Sequence, residues 1–358
     1  MQFYIRLFFV FSALFVLINQ SHAAEHCVVL QYHHVSEETP GITSVSPAQF
    51  QQHLDYLKDN KYNVLALPEV VSQLKQGKSL PDLCVALTID DAYQSAYTEA
   101  WPRAQKYGFP LTIFVSTESV DLGLKSFLSW EQMREMSKNG VDFQNHSHSH
   151  DHLIRLHLNE KIDDWEQRIA SEILMAQNRL TEELKISPTL FAYPYGEYNI
   201  ALKNILSSMG LSAFGQQSGP IGRNSDFAAL PRFPMNTLYA SMRSFPTKIS
   251  TLPLPIQQAS PQEPLVDNQE WQPALKLTFQ ETVVSPQRLT CFFNGSPKIN
   301  YQWDLQKPAS VTITPKGKLS VGRNRYNCTL PSKEKGRFYW YSHNWIRKTV
   351  DGSWYKEP

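Results

Sequence analysis

Two adjacent carboxylates, Asp90 and Asp91, close the apolar run "LTIDD", and histidines 146, 148, 150 and 152 crowd the short stretch "NHSHSHDHL". Carboxylate oxygens and imidazole nitrogens are the donors that hold a divalent ion such as zinc, and a neighbouring carboxylate outside the ligand set can take a proton. Side chains alternate along a regular strand, but at a strand end the chain bends and both aspartates can turn toward one site. An Asp-Asp pair after a strand also caps helices, so alone it is ambiguous. Two histidine registers fit H-S-x-x-H if the backbone is helical there, His146 with His150 and His148 with His152; a surface tract that meets metal only incidentally is the plain alternative. "FAYPYGEYN", residues 191–199, contains a Pro194-Tyr195-Gly196 turn that can aim the Tyr195 N–H at a developing oxyanion while the ring lines a sugar-sized cleft. Most such segments are only turns. A third polar terminus stands earlier, where "VVLQYHHV" at residues 28–35 ends on His33 and His34.

Upstream of residue 244, apolar strands alternate with helical segments: "CVVLQYHH", a helix near residues 48–60, "CVALTIDD", a helix near 95–107, "PLTIFVS", a helix over 130–139, "VDFQNH", a long helix near 163–183, and "TLFAYPYG". That order predicts parallel strands with crossover helices, an α/β barrel or open sheet, whose chemistry collects at the C-terminal ends of the strands. Cys27 lies six residues before His33, and Cys84 six before Asp90. Parallel neighbours in register would therefore join the two cysteines at one end and set His33 beside Asp90 at the other.

Prolines 246, 253, 255, 261, 264 and 273 mark residues 244–273 as an extended linker rather than a packed element. Beyond it, alternating segments such as "ALKLTFQETVV", "RLTCFFNG" and "RYNCTL" predict a small antiparallel β-sandwich over 274–358, with Cys291 and Cys328 as a second local pair. Its closing aromatics, Tyr339, Trp340, Tyr341, Trp345 and Trp354, would stack on sugar rings if exposed in a row. At the other end, Arg6, an apolar stretch from Leu7 to Ile18 and small residues around Ala23 read as a signal peptide over 1–23. The apolar stretch is shorter than the roughly 20 residues a membrane span needs, so no stable span is expected in the mature protein. Export to the periplasm or medium would let both disulfides persist.

A formal net charge of +1 argues against nucleic acid or an anionic membrane as the main partner, since either selects a concentrated basic excess.

In this order, "LTIDDAY", "NHSHSHDHL" and "FAYPYGEYN" resemble the polysaccharide deacetylases of the NodB-homology family, carbohydrate esterase family 4, over roughly residues 28–235 of a domain placed at 25–243. The resemblance implies a distorted (β/α) barrel and one divalent ion, zinc first, with nickel, cobalt or iron also compatible with the donors. It assigns Asp90 as base, Asp91, His146 and His150 as ligands, and Pro194 and Tyr195 to the substrate and oxyanion. It also chooses the histidine register, because Asn145 precedes His146 and Leu153 follows His150 by three, as is often the case in the family, whereas Arg155 stands three after His152. Ala192 stands where the family usually has an arginine, and its C-terminal L-x-x-H is absent before the linker. The chain is similar there to the poly-N-acetylglucosamine deacetylase subgroup, in which a Y-H-x-V segment supplies the general acid. That points to His33, and "LPRFPM" offers Arg232 as the partner of Asp90. The function implied is N-deacetylation of a poly-β-1,6-N-acetylglucosamine-like exopolysaccharide of biofilms. Chitin fragments, peptidoglycan or an O-acetylated glycan are alternative substrates, and a silent exported glycan-binding protein is the alternative of another class.

Overall fold

The structure, a computed structural model, describes residues 23–267, 269–283 and 285–356. The signal peptide expected at 1–23 lies outside the described residues apart from Ala23, which with Ala24 pairs against Leu80–Pro81. Among the described residues no helix is long and apolar enough to cross a membrane.

The first domain is a distorted, incompletely closed (β/α) barrel. Its main sheet runs in the order Ser212–Phe214, Leu190–Ala192, Asp142–Asn145, Leu111–Val115, Cys84–Ile89, His26–Tyr32 and Pro220–Gly222. All pairings along this path are parallel except the last. Nearly continuous burial of Cys84–Ile89 and Leu111–Val115 explains their unbroken apolar sequences, because strands covered on both faces have no polar side to show. The long helix Ile162–Leu184 packs on the sheet through Trp165, Ile169, Ile173, Ala176, Leu180 and Leu184, steps of three and four that form one stripe.

The register expected from the cysteines is present. Val28 faces Val85 and Tyr32 faces Ile89, the Cys27–Cys84 disulfide is formed, and the Asp90 N–H donates to the Tyr32 carbonyl at 2.9 Å. His33 and Asp90 emerge side by side.

The second domain is a β-sandwich of two four-stranded sheets. One orders Leu252–Pro253, Phe338–Arg347, Gly322–Pro331 and Thr290–Phe293, and the other Ile256–Ser260, Leu275–Phe279, Ser310–Pro315 and Ile299–Asp304. Cys291 and Cys328 are directly paired across neighbouring strands of the first sheet and bonded. Residues 244–273 depart from the expected free linker. Phe245–Ile249 is a short helix that buries Phe245 and Ile249 in the barrel core, and beyond it Leu252–Pro253 pairs with Tyr339 and Trp340 while Ile256–Ser260 pairs with Lys276–Phe279. Nor do the closing aromatics form an exposed row: Trp345 is in the sandwich core, and Trp340 meets Phe233 of the barrel at 5.3 Å.

One buried histidine is expected to cost the barrel stability in acid. The His53 ring is fully buried, with Nε2 2.6 Å from the Ala240 carbonyl and Nδ1 3.0 Å from the Tyr32 hydroxyl. A carbonyl only accepts, so Nε2 carries the proton and Nδ1 accepts from Tyr32 in the neutral ring. Burial, helped by Lys248, lowers its pKa from 6.5 to about 4. The stabilisation is therefore complete above pH 6.5 and is lost as the pH falls to 4; at about 1.4 kcal/mol per unit it is of order 3 kcal/mol. We expect His53→Gln to flatten the dependence of unfolding free energy on pH between 6.5 and 4 by up to one proton. An unchanged slope in denaturant titrations would remove His53 as the cause.

Candidate active site

Asp91, His146 and His150 converge at the C-terminal ends of the Cys84–Ile89 and Asp142–Asn145 strands. Both Nε2 atoms lie 3.1 Å from Asp91 Oδ1, and ligand atoms of all three lie within 4.8 Å of one another. The backbone that achieves this is not helical. Asn145 accepts from the Ser147 N–H through Oδ1, Ser147 takes a φ of 68°, its hydroxyl accepts from the His150 N–H at 3.1 Å, and His150 takes a φ of 62°. The Asn145 amide also donates to the Ile173 carbonyl at 3.0 Å, fastening the turn to the long helix. The H-S-x-x-H spacing therefore works through two left-handed residues. Asp91 and Ala92, with φ of 69° and 57°, do the same for the paired aspartates and turn Asp91 away from the strand. Such conformations cost a non-glycine residue of order 1–3 kcal/mol each and persist only where the surroundings enforce them.

The donor set fits a cation. His146 Nδ1 lies 2.7 Å from the Ala192 carbonyl, so it carries the ring proton in the neutral form and Nε2 presents a lone pair. Asp91 Oδ1 is buried and accepts no well-aligned hydrogen bond. The His146 lone pair and the carboxylate oxygen 3.1 Å away repel unless a positive charge lies between them.

Asp90 is separate and differently held. Arg232 clamps it with Nη1 to Oδ1 at 2.6 Å and Nη2 to Oδ2 at 2.8 Å, and both side chains are fully buried. Gln31 donates to Oδ2 at 2.7 Å, and His33 Nε2 lies 4.0 Å from the same oxygen. Arg232 is itself locked: it donates through Nε to the Gly215 carbonyl and through Nη1 to Thr88, with its guanidinium over Phe114 at 5.2 Å. Burial pushes the Asp90 carboxyl up, and Arg232, His146 and His33 together pull it below its ordinary value. It stands ionised at neutral pH, able to accept a proton.

The remaining sequence candidates fall around these two centres. Pro194 is buried and opens the turn in which Tyr195 has a φ of 59°. Gly196 is required there: at φ +69°, a Cβ would lie 2.6 Å from the Gln216 side chain and 2.9 Å from its backbone nitrogen. The Tyr195 ring packs 4.8 Å from His150. His148 contacts Thr117 at 2.9 Å and His152 contacts Glu197 at 2.8 Å, outside the trio. Sequence reasoning missed Gln31 and Glu197. The signal for Gln31 was a lone amide inside an otherwise apolar buried strand.

The sequence pattern of the family "Polysaccharide deacetylase" matches residues 77–214. That range holds Asp90, Asp91, His146, His150, Pro194 and Tyr195; His33 and Arg232 lie outside it. A protein of Bacillus subtilis (strain 168), YxkH, named as a polysaccharide deacetylase, is 32% identical over 171 residues, 48% of this chain and 57% of its own length. The poly-beta-1,6-N-acetyl-D-glucosamine N-deacetylase of Staphylococcus aureus (strain MRSA252) is 29% identical over 53% of this chain and 67% of its own length. The alignment thus spans little more than half of the B. subtilis relative. Among solved structures, the Streptococcus pyogenes deacetylase PplD in complex with acetate superposes with a TM-score of 0.54 and 26% identity, over 59% of this chain and 93% of that one. IcaB from Ammonifex degensii gives 0.53 and 26%, over 62% and 95%.

Proposed function

We infer that the chain is a member of the polysaccharide deacetylase family, which its match over residues 77–214 and its likeness to named deacetylases support. The reaction is hydrolysis of the N-acetyl amide of an N-acetylglucosamine-containing polysaccharide, a poly-β-1,6-linked exopolysaccharide first, by an exported enzyme. The observation that carries this reading is the pairing of a base clamped by Arg232 and flanked by His33 with a three-donor metal site beside it.

Asp91, His146 and His150 would hold a divalent ion, zinc first. When bound, such an ion lowers the pKa of a water and polarises the acetyl carbonyl. Asp90 takes the water's proton, and the oxygen adds to the carbonyl carbon. The Tyr195 N–H steadies the oxyanion. His33 protonates the nitrogen as the C–N bond breaks, leaving acetate and a free amine. The substrate named for the staphylococcal relative supports the β-1,6 linkage, and the two disulfides support an oxidising location.

The test is acetate release by the zinc-loaded mature protein from β-1,6- and β-1,4-linked N-acetylglucosamine polymers, with Asp90→Asn as control. Release from the β-1,6 polymer alone supports the exopolysaccharide assignment. No release from any glycan with metal bound favours a glycan-binding protein. His33→Ala should keep its metal and lose a hundredfold to ten-thousandfold in turnover, roughly the contribution of a general acid. A rate like wild type would take His33 out of the mechanism.

A further inference from the structure

Tyr195 is a bulky residue in a left-handed conformation, and such a turn must be held from outside. Much of what holds it comes from the other domain. Arg323, on the Gly322–Pro331 strand of the sandwich, donates through Nη1 to the Tyr195 carbonyl at 3.1 Å, and its guanidinium lies 5.7 Å from the Tyr195 ring. His152 stacks on that ring at 3.8 Å. Two residues on, the Glu197 side chain is completely buried. It accepts from His152 Nδ1 through Oε2 and from the Tyr355 hydroxyl through Oε1, with Arg323 Nη1 3.7 Å and Arg155 Nη2 3.8 Å from Oε1. Arg155 in turn donates to the Tyr355 carbonyl at 3.0 Å and lies over the Tyr355 ring at 4.7 Å. A buried carboxylate is tolerated only where it is paired, and here Arg323 and Tyr355 come from the C-terminal domain.

We propose that the β-sandwich domain is a working part of the active site, with Arg323 and Tyr355 as positioning residues that fix the Tyr195 turn through its carbonyl and through Glu197. Holding the carbonyl sets the plane of the peptide that follows Tyr195, and the His152 stack sets the ring. Together they restrict rotation about the Tyr195 Cα, the motion that would swing its N–H away from the site. The role in turnover rests on the deacetylase reading above; the buttress itself rests on the contacts alone.

The experiment compares full-length wild type with Arg323→Ala, Arg323→Lys and Tyr355→Phe. In Arg323→Ala, kcat is expected to fall about ten- to hundredfold, the size of effect produced by groups that orient a catalytic ligand. KM and metal content should stay within about twofold, as expected when only transition-state stabilisation is removed. Lysine at 323 keeps the charge and one donor and should recover part of the rate. Independently of activity, amide hydrogen exchange across residues 194–198 should rise about tenfold in Arg323→Ala without substrate, the sign of a local opening made easier. If wild type releases no acetate from any glycan, the deacetylase reading fails while exchange still tests the buttress. Wild-type exchange in Arg323→Ala would overturn the buttress, and faster exchange with an unchanged kcat would overturn its role in turnover.

Discussion

His146→Ala should purify without a bound divalent ion and be nearly inert. The imidazole it removes is almost wholly buried, lies 3.1 Å from Asp91 Oδ1 and is oriented by the Ala192 carbonyl, so no surface side chain can swing in to replace it. Polarisation of a carbonyl by a bound ion is worth several kcal/mol, which at about 1.4 kcal/mol per decade is on the order of a thousandfold or more in rate. His148→Ala alters the same tract but removes a ring that meets Thr117 instead of Asp91, and should keep both metal and turnover. Elemental analysis and acetate release on the two variants decide between the registers. Metal lost from His148→Ala and retained in His146→Ala would reverse the assignment.

Arg232→Leu should damage folding and catalysis together. Removing one partner of a buried ion pair leaves the other charge uncompensated, at a cost of about 3–5 kcal/mol. For a domain of this size that lowers the unfolding midpoint by roughly 6–20 °C. The Gly215 carbonyl and the Thr88 hydroxyl lose a donor in the same step. Without the guanidinium, burial raises the Asp90 carboxyl against only His146, His33 and Gln31, the balance shifts toward its neutral form, and it becomes a poorer proton acceptor. Arg232→Lys should recover charge but not the two-pronged clamp, and so fold better than it turns over. Calorimetry beside acetate release measures both. A midpoint and rate like wild type would mean that the clamp contributes to neither.

How far the molecule was legible in its sequence depended on whether a feature was local. Parallel strands with even cysteine spacing brought His33 beside Asp90, because register follows from strand period and a cross-link. Asp91, His146 and His150 were legible as residue types in short windows. The backbone that joins the histidines was not: a helix and a pair of left-handed residues can both bring i and i+4 together, and Asn145 decides for the second by capturing the Ser147 N–H. Gln31 stood out only as a lone amide in an apolar strand, and neither its role nor that of Glu197 could be read, because a buried amide or carboxylate is explained by partners far along the chain, 59 residues away for Asp90 and 158 for Tyr355. The proline-rich stretch misled because extended backbone without periodicity looks the same whether it is solvated or adds an edge to a sheet.

That stretch limits modularity. Residues 252–260 lend one short strand to each sheet of the sandwich, so the tether between the domains is also part of what it tethers. An excision made after residue 273 would carry those edges away with the barrel and leave both sheets frayed. The two halves of this chain are therefore poor candidates for shuffling as interchangeable cassettes. A graft that is to keep the sandwich whole must begin ahead of Leu252, and one that separates it from the barrel gives up the far wall of the catalytic turn.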